Sequence, residues 1–526
     1  MATRHDEIQK RRIFGIISHP EAGKTTLTEK LLLHGGAIRQ AGTVKARRND
    51  KFATSDWMEI EKQRGISVTS SVMQFDYEGK VISIMDTPGH NDFGEDTYRI
   101  LTSVDSAVMV IDGAKGIEAQ TRKLFKVCAM RKIPVFTFIN KLDRETKDPF
   151  DLIQELEDIL GLPSSPVTWP IGCGMNFEGI YDLLKNEAIL YKADKTIKLG
   201  DKGVFGPELE DQISGLNLSS LRDEIELIQG AGNPLDEDAV LAGKLSPVFF
   251  GSALADFGTV PFFQHFLDMS PAPGPRKTTD GYVDPEDDFF SGFIFKIQAN
   301  MNPAHRDRLA FLRICSGTFE RGMSVILSRT GKEMKLAQST MLMANHRENV
   351  EEAIAGDIIG IYDTGNYQIG DTLSTRKEPL FFEPLPTFPP EMFALVTPKD
   401  TMKAKQFQKG VAQLAQEGAI QIFQEFNTGM EEIIVGVVGV LQFEVLTYRL
   451  KNEYNVDVRL EQLPFEYIRW VENPEEVDVA KLQGTSDMKR ICDLKGNPLL
   501  LFINSWSVGM VEERNPGLRL AEFGRN

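Results

Sequence analysis

Cysteine is scarce in this sequence. The 526 residues contain only four, Cys128, Cys173, Cys315 and Cys492, and no two have the C-x-x-C spacing. Disulfide-stabilised secreted domains and zinc-binding modules both need more cysteines at closer spacing. The sequence therefore predicts neither, and it favours a reducing, cytoplasmic location.

Long apolar runs are missing from the N-terminal region. The opening "MATRHDEIQKRR" is followed only by the short run "IFGII". A membrane-spanning helix takes about 20 apolar residues, and the core of a signal peptide takes about 7 to 15. We therefore expect neither secretion nor membrane insertion.

An excess of positive charge is also absent, since 59 Lys and Arg face 76 Asp and Glu for a formal net charge of −17. Binding to nucleic acid irrespective of sequence depends on a positive field that releases counterions. The balance argues against that mode of binding for the whole protein. One basic segment, "KARRNDK" at 45–51, is either a solvated loop or a local contact with nucleic acid.

The chain is too long for one hydrophobic core, so several domains are expected. The first reads as alternating strands and helices: strand "RRIFGIIS", helix "KTTLTEKLLLHGG", and buried strands at 81–85, 107–111, 134–139 and 247–250. This pattern predicts an α/β domain with a parallel sheet covered by helices. The wider spacing between Asn140 and Ser252 predicts an insertion at about 145–245.

Two stretches rich in proline divide the rest of the chain. "SPAPGPR" at 270–276 and "EPLPTFPPEM" at 383–392 cannot continue a helix or a strand. Short alternating runs between them predict a closed antiparallel β-barrel. We therefore predict three domains, at 1–276, 277–385 and 386–526.

The last domain has a recognisable order of elements. Strand "MFALV", helix "MKAKQFQKGVAQLAQEG", strands "AIQIF" and "EIIVGVV", helix "VLQFEVLTYRLKNEY" and strand "VDVRL" follow one another. This is the ferredoxin-like βαββαβ α+β sandwich. The tail after Leu463 is not assigned to any element.

The segment "SHPEAGKTT" is close to a phosphate-binding loop. It matches G-x-x-x-x-G-K-[ST] except that Ser18 stands at the first glycine. Its place between an apolar strand and a helix start suits an anion site, because backbone N–H groups and the helix dipole point there. Lys24 would reach the β- and γ-phosphates, and the Thr25 hydroxyl would ligate Mg²⁺. The predicted nucleotide-binding residues of this loop are Ser18, His19, Pro20, Glu21, Ala22, Gly23, Lys24, Thr25 and Thr26.

Three further motifs follow apolar strands, at the carboxyl ends where open α/β sheets bind ligands. In "DTPGH", Asp86 would hold Mg²⁺ through water and the Gly89 N–H would sense the γ-phosphate. In "NKLD", Asp143 would accept two hydrogen bonds from guanine, one from the N1–H and one from the 2-amino group. Adenine cannot offer this pair of donors. "SAL" would supply a backbone N–H for the guanine oxygen. The predicted residues are Asp86, Thr87, Pro88, Gly89, His90, Asn140, Lys141, Leu142, Asp143, Ser252, Ala253 and Leu254.

Each motif alone has an ordinary structural explanation as a turn or a helix cap. All four in order, each after its own strand, predict a GTPase. Two alternatives remain open: a GTP-sensing module that exchanges nucleotide without hydrolysis, which an intact Lys24 and His90 disfavour, and an ATP-driven motor, which Asp143 disfavours.

A family resemblance adds to this interpretation. "DWMEIEKQRGISV", "DTPGHNDF" and "NKLD" resemble the translational GTPases, the superfamily of elongation factors Tu and G. Within this superfamily, "SHPEAGKTT" and "KIQANMNPAHRDRLAFLRICSG" resemble the class-II release factors, the peptide chain release factor 3 family. The resemblance runs from about Arg12 into the last domain and is looser after about Leu463. A translocase of the elongation factor G type would need two further domains.

The resemblance also implies site roles. Ser67, where most relatives have threonine, would ligate Mg²⁺ together with Thr25 and Asp86. Ile66 and Pro20 would flank the catalytic histidine. His90 would orient the attacking water, with Lys24 as the second catalytic residue.

By the same resemblance, the cofactors would be GTP or GDP with Mg²⁺, and the protein would act as a monomer on the ribosome. It would contact large-subunit RNA near the GTPase-activating loop, and the small subunit through the barrel. The implied function is a ribosome-dependent GTPase of translation termination, which stimulates dissociation of class-I release factors after peptide release.

Overall fold

The computed structural model describes residues 3–38, 71–88, 90, 92, 94–191, 193–299, 308–337, 339–343, 346–384, 389–426 and 433–522. The segment 45–51 discussed above lies outside these ranges. So do three single residues, Ile66, Ser67 and Gly89. Within them, no helix has both the length and the apolar composition needed to cross a membrane.

The first domain is built on a mainly parallel sheet. Its strands and those inserted into it are β1 Arg11–Ser18, β2 Ser71–Tyr77, β3 Lys80–Asp86, β4 Ser106–Asp112, β5 Val135–Asn140, β6 Ser164–Pro166, β7 Thr168–Ile171, β8 Gly179–Asp182, β9 Glu187–Leu190, β10 Lys195–Lys198 and β11 Ser246–Phe250. The main sheet has the order β2-β3-β1-β4-β5-β11-β6. Only β2 is antiparallel to its neighbour. The predicted parallel sheet is confirmed.

Helices cover both faces of this sheet: Arg4–Gln9, Lys24–His34, Gly94–Ser103, Ala119–Arg131, Pro149–Leu160, Gly215–Ala231, Glu237–Leu241 and Thr259–Met269. Alternate residues of β1 enter different cores. Ile13 and Ile17 pack on one face, whereas Phe14 and Ile16 pack on the other. A strand buried on both faces must be apolar throughout, which is why "RRIFGIIS" could be identified from sequence.

The wide gap between Asn140 and Ser252 holds more than an insertion. Strand β6 pairs in parallel with β11, with Ser164 opposite Ser246, so it extends the main sheet. Strands β7 to β10 then form a separate four-stranded antiparallel sheet. Part of the range 145–245 therefore belongs to the main fold.

The second domain is an antiparallel sheet curved as a half-barrel. Its strands are β12 Arg276–Thr278, β13 Gly281–Val283, β14 Ser291–Ala299, β15 Arg308–Ser316, β16 Thr318–Glu320, β17 Ser324–Leu327, β18 Lys332–Lys335, β19 Ser339–Met343, β20 His346–Asn349, β21 Glu352–Ile354, β22 Ile358–Tyr362 and β23 Thr372–Ser374. The order β18-β17-β23-β14-β15-β22-β19 is open at β18, and among the described strands no pairing closes it. The antiparallel sheet is confirmed, but the full closure expected from sequence is not seen there.

Buried ion pairs attach the half-barrel to the first domain. The Asp105 carboxylate accepts from Arg313 at 2.7 Å and from Arg276 at 2.6 Å, and Arg313 is almost wholly buried. Arg11 donates to both oxygens of Asp357, at 2.7 and 2.9 Å. Removing one partner of such a pair would leave a buried charge uncompensated, so these contacts fix how the two domains meet.

The third domain contains the predicted βαββαβ unit. Its strands are β24 Met392–Pro398, β25 Gln421–Glu425, β26 Ile433–Val437 and β27 Val458–Leu463, and its helices are Ala404–Gln416 and Val440–Tyr454. The strand order β27-β24-β26-β25 is that of a split βαββαβ sandwich, as expected.

The tail that the sequence left unassigned continues this sheet. It forms β28 Tyr467–Val471, β29 Met488–Asp493, β30 Pro498–Phe502, the helix Ser505–Arg514 and β31 Leu520–Ala521. Strand β29 pairs with β25, so one sheet of eight strands runs through the domain. The added strands have their own core, with Leu500, Phe502 and Val511 fully buried.

Candidate active site

The phosphate-binding loop joins β1 to the helix Lys24–His34. Glu21 and Gly23 have φ angles of 67° and 100°, in the left-handed region that turns the chain tightly. Gly23 is the N-cap of the helix and has no side chain to cap it. The helix N-terminus therefore faces the loop, which is the geometry that binds phosphate.

Lys24 and Asp86 meet at the centre of the site. The Lys24 ammonium contacts Oδ1 of Asp86, and both side chains are at least 95% buried. Thr28 donates its hydroxyl to the same oxygen at 3.4 Å. Asp86 ends β3, next to β1, so the sheet itself brings the "DTPGH" carboxylate to the phosphate-binding loop.

The segment after Asp86 is held against the sheet and then turns outward. Thr87 donates its hydroxyl to the Ile16 carbonyl at 2.6 Å, and Pro88 is buried. His90 is partly exposed, and its Nδ1 lies 3.0 Å from Oδ1 of Asp92.

Asn140 connects three of the predicted motifs. Its Nδ2 donates to the Ala22 carbonyl at 2.8 Å, and its Oδ1 accepts from the backbone N–H groups of Lys141 at 2.9 Å and Ala253 at 2.8 Å. A Cβ at Gly23 would lie 2.2 Å from Asn140 Nδ2. The close approach explains the glycine, and the side chain ties the phosphate loop to the loops of "NKLD" and "SAL".

The remaining "NKLD" side chains have separate partners. Lys141 donates its ammonium to Asp112 at 2.7 Å, and Asp143 accepts from the Ser252 hydroxyl at 2.5 Å. Burial alone would raise the pKa of the Asp112 carboxyl, but the hydrogen bonds from Lys141 and the Ala114 N–H outweigh burial and lower this pKa. Leu142 is buried and packs in the core, whereas Leu254 is largely exposed.

Asp256 anchors the "SAL" loop to the helix of the phosphate loop. It accepts from His34 at 2.9 Å and from Thr259 at 2.8 Å, and Lys30 lies 3.2 Å away. Burial alone would raise the pKa of Asp256, but the hydrogen bonds and the charges of His34 and Lys30 outweigh it and lower the pKa to about 2. The carboxylate therefore stabilises the folded state in its charged form.

Replacing Asp256 with asparagine should cost at most about 2.5 kcal/mol of unfolding free energy at pH 7, because the pKa of Asp256 is lowered to about 2 from an ordinary 3.8. Because the pKa of Asp256 is lower in the folded state, its carboxylate stabilises the folded state above pH 3.8. This contribution is lost as the pH falls through about 2. The difference in Tm between Asp256→Asn and the wild type should therefore shrink from pH 5 to pH 3. The exposed Asp211→Asn serves as the control. A difference that does not change with pH would contradict this assignment.

Two of the predicted metal ligands, Thr25 and Asp86, lie in the described part of the site. A hydroxyl at Thr25 and a carboxylate at Asp86 are oxygen donors of the kind Mg²⁺ accepts while it keeps several waters. Among the described residues there is no cluster of three or more His, Cys, Asp or Glu side chains that could hold a metal ion.

The structure adds contacts of three residues to which the sequence assigned no role. Asp112 holds Lys141, Asp256 holds the "SAL" loop, and Asp92 holds His90. Asp112 could have been found from sequence, because it ends the apolar run "AVMVI" just as Asp86 ends "VISIM". Asp256 and Asp92 follow no strand, and only the fold reveals their partners.

Comparison with known families assigns each part of the chain. Residues 9–272 match the elongation factor Tu GTP binding domain, and residues 289–376 match elongation factor G domain 2. Residues 382–512 match the C-terminal domain of the class II release factor RF3.

Whole-chain comparison gives the same relationship. The chain is 54% identical over 520 residues to peptide chain release factor 3 of Listeria innocua, covering 98% of each chain. It is also 54% identical to that of Streptococcus pneumoniae strain CGSP14, covering 98% of this chain and 99% of the relative. A crystal structure of a Thermus thermophilus protein superposes with a TM-score of 0.68 at 21% identity, covering 92% of this chain and 72% of that one. At that identity the superposition supports the fold alone.

Proposed function

Because the chain belongs to the peptide chain release factor 3 family of translational GTPases, we propose that it hydrolyses GTP on the ribosome during translation termination. In its GTP state it drives the class-I release factor off after the peptide is freed, and it leaves when GTP is hydrolysed. The observation that carries the proposal is 54% identity over nearly the full length of both chains.

The nucleotide would lie across the carboxyl ends of β1, β3, β5 and β11. Its phosphates would bind the loop from Ser18 to Thr26, with Lys24 exchanging its contact with Asp86 for the β- and γ-phosphates. The base would bind at Asp143, which Ser252 orients through a 2.5 Å hydrogen bond. A guanine would satisfy the Asp143 carboxylate with two hydrogen bonds, whereas adenine presents an acceptor there.

Thr25, Asp86 and Ser67 would hold Mg²⁺, with Asp86 acting through water. When bound, the ion neutralises charge on the β- and γ-phosphates. The chain supports this role by burying the Asp86 carboxylate at the end of β3, within reach of the helix that carries Thr25.

His90 would orient the water that attacks the γ-phosphate. Phosphoryl transfer depends on positioning and charge stabilisation more than on covalent chemistry, and a site lacking one stabiliser is slow. The partial exposure of His90 supports activation from outside the chain. Ribosomal RNA of the large subunit would supply it, while the half-barrel would face the small subunit.

The three domains would act as one monomer in the cytoplasm: 1–276 binds GTP, 277–385 forms the half-barrel, and 386–526 forms the α+β domain. The segment 36–67 would order around the γ-phosphate and be released after hydrolysis.

The test uses post-termination ribosomes carrying a fluorescent class-I release factor. Adding this protein with GTP should speed loss of the label by at least tenfold over GDP or buffer alone. Unchanged dissociation with GTP would refute the role in recycling, whatever the nucleotide site does.

A further inference from the structure

The helix Val440–Tyr454 of the third domain has no side chain at its N-cap position, although Gln442 in its first turn accepts from the Gly439 N–H at 3.4 Å. Its N-cap is Gly439, and Gln442 accepts from the N–H of Val438 at 2.7 Å. The first N–H groups of a helix need acceptors, and a side chain at the N-cap usually supplies one. Here that side chain comes from another domain.

Asp92 of the first domain supplies the missing cap. Its Oδ2 accepts from the Leu441 N–H at 2.8 Å, across 349 positions of sequence. A Cβ at Gly439 would lie 2.1 Å from the Asp92 carboxylate. Gly439 has φ −154° and ψ 168°, an extended conformation open to any residue, so it is the close approach that requires glycine.

The other oxygen of the same carboxylate faces His90. The Nδ1 of His90 lies 3.0 Å from Asp92 Oδ1, and it accepts a hydrogen bond from the Asp92 backbone N–H at 3.3 Å. Both contacts of Nδ1 are therefore with Asp92, so the position of Asp92 sets the orientation of the His90 ring.

We infer that Asp92 is a positioning residue that makes the orientation of His90 depend on docking of the helix Val440–Tyr454 against the first domain. The Asp92 carboxylate contacts both the His90 imidazole and the N-terminus of the helix. If the carboxylate moves with one of these partners, it loses its contact with the other. Displacement of the third domain would therefore change how His90 is held. This inference rests on the proposed role of His90 in GTP hydrolysis.

Neighbouring contacts show that the same segment docks the third domain. Arg99 donates to the Gly418 carbonyl at 3.1 Å, and Gln421 donates to Glu95 at 3.3 Å. Glu95 and Arg99 lie on the helix Gly94–Ser103, which begins two residues after Asp92. A shift of the third domain is thus transmitted to the segment that carries His90.

The experiment compares the full-length wild type with three variants. Asp92→Asn keeps an oxygen for the Leu441 N–H but presents an N–H to His90. Gly439→Ala leaves Asp92 and His90 intact but forces the helix and the carboxylate apart. Gly509→Ala is the matched control, because a Cβ there meets nothing within 4 Å.

The first readout needs no GTP hydrolysis. Long-range ¹H–¹⁵N spectra of histidine-labelled protein at pH 8 report the chemical environment of each ring nitrogen, with His90 assigned by its loss in His90→Gln. We expect the same His90 ring-nitrogen chemical shifts in the wild type and in Gly509→Ala, and changed shifts in Asp92→Asn and Gly439→Ala. No change in either variant, or a change in Asp92→Asn alone, would overturn the coupling.

The second readout is ribosome-stimulated GTP hydrolysis. The value of kcat should fall at least tenfold in Asp92→Asn and Gly439→Ala with KM unchanged, and it should stay at the wild-type level in Gly509→Ala. Normal kcat in both interface variants would overturn the inference. A wild type that hydrolyses no GTP would instead refute the proposed function, and the spectra would still decide the coupling.

Discussion

Replacing His90 with alanine should reduce ribosome-stimulated GTP hydrolysis by about two to four orders of magnitude, the range in which positioned acid–base and water-orienting groups act. His90 follows Asp86 in the "DTPGH" motif, and its Nδ1 is held by Asp92 at 3.0 Å. GTP affinity should change little, because the phosphate loop and the base loop are built from other residues. The measurement is single-turnover hydrolysis on ribosomes, beside equilibrium binding of GTP.

His5→Ala is the matched control. Its side chain is exposed and pairs only at the surface with Glu286, where such pairs contribute little. Hydrolysis by His90→Ala at a rate near that of the wild type would show that the catalytic residue has been misassigned. A loss of GTP affinity equal to the loss of rate would show that His90 acts on binding.

Asp143→Asn should reverse the choice of base. Asparagine offers one acceptor and one donor, which suits xanthine, whereas guanine needs two acceptors. Leaving a hydrogen-bonding group unpaired costs about 1–3 kcal/mol, which is about 5- to 150-fold in affinity. We expect GTP to bind more weakly and xanthosine triphosphate more tightly, each by a factor in that range.

Asp151→Asn, on the exposed start of the helix Pro149–Leu160, controls for the loss of one negative charge. It should bind GTP as the wild type does. If Asp143→Asn kept its preference for GTP, the base would not be recognised by Asp143, and the assignment of "NKLD" would be wrong.

The placement of the four motifs at one edge of the sheet was predictable because each motif follows a strand buried on both faces. Such strands are apolar throughout, so the polar residue that ends each one stands out, as Asp86 and Asn140 do. In a parallel sheet these ends share one edge, and the structure brings Asn140 within hydrogen-bonding distance of Ala22 and Ala253. Local sequence pattern and sheet topology together were sufficient.

The tail beyond Leu463 could not be predicted for the opposite reason. Its strands are short, charged residues interrupt the apolar ones, and β29 is stabilised by pairing with β25, which lies far earlier in the chain. The contact of Asp92 with the Leu441 N–H is equally invisible in sequence, because nothing local marks a carboxylate that caps a distant helix.

Closure of the barrel shows a further limit. Alternating runs such as "GFIFKIQ" and "RLAFLRI" correctly predicted β14 and β15, whose pairing extends from Ser291–Ser316 to Ala299–Arg308. Alternation identifies strands and their buried face, but closure depends on how the outermost strands meet. The ladder instead ends at β18, and β19 reaches the first domain through one pairing, Met343 with Gln74.

Single-turnover GTP hydrolysis by the wild-type protein, with and without ribosomes, tests the central claim most directly. A site that lacks one stabilising group should be slow alone and should be accelerated by about 10³-fold or more when the ribosome supplies it. We expect slow hydrolysis in solution and that acceleration on ribosomes. Hydrolysis at the same rate with and without ribosomes would contradict the account, because the activating group would then lie within this chain.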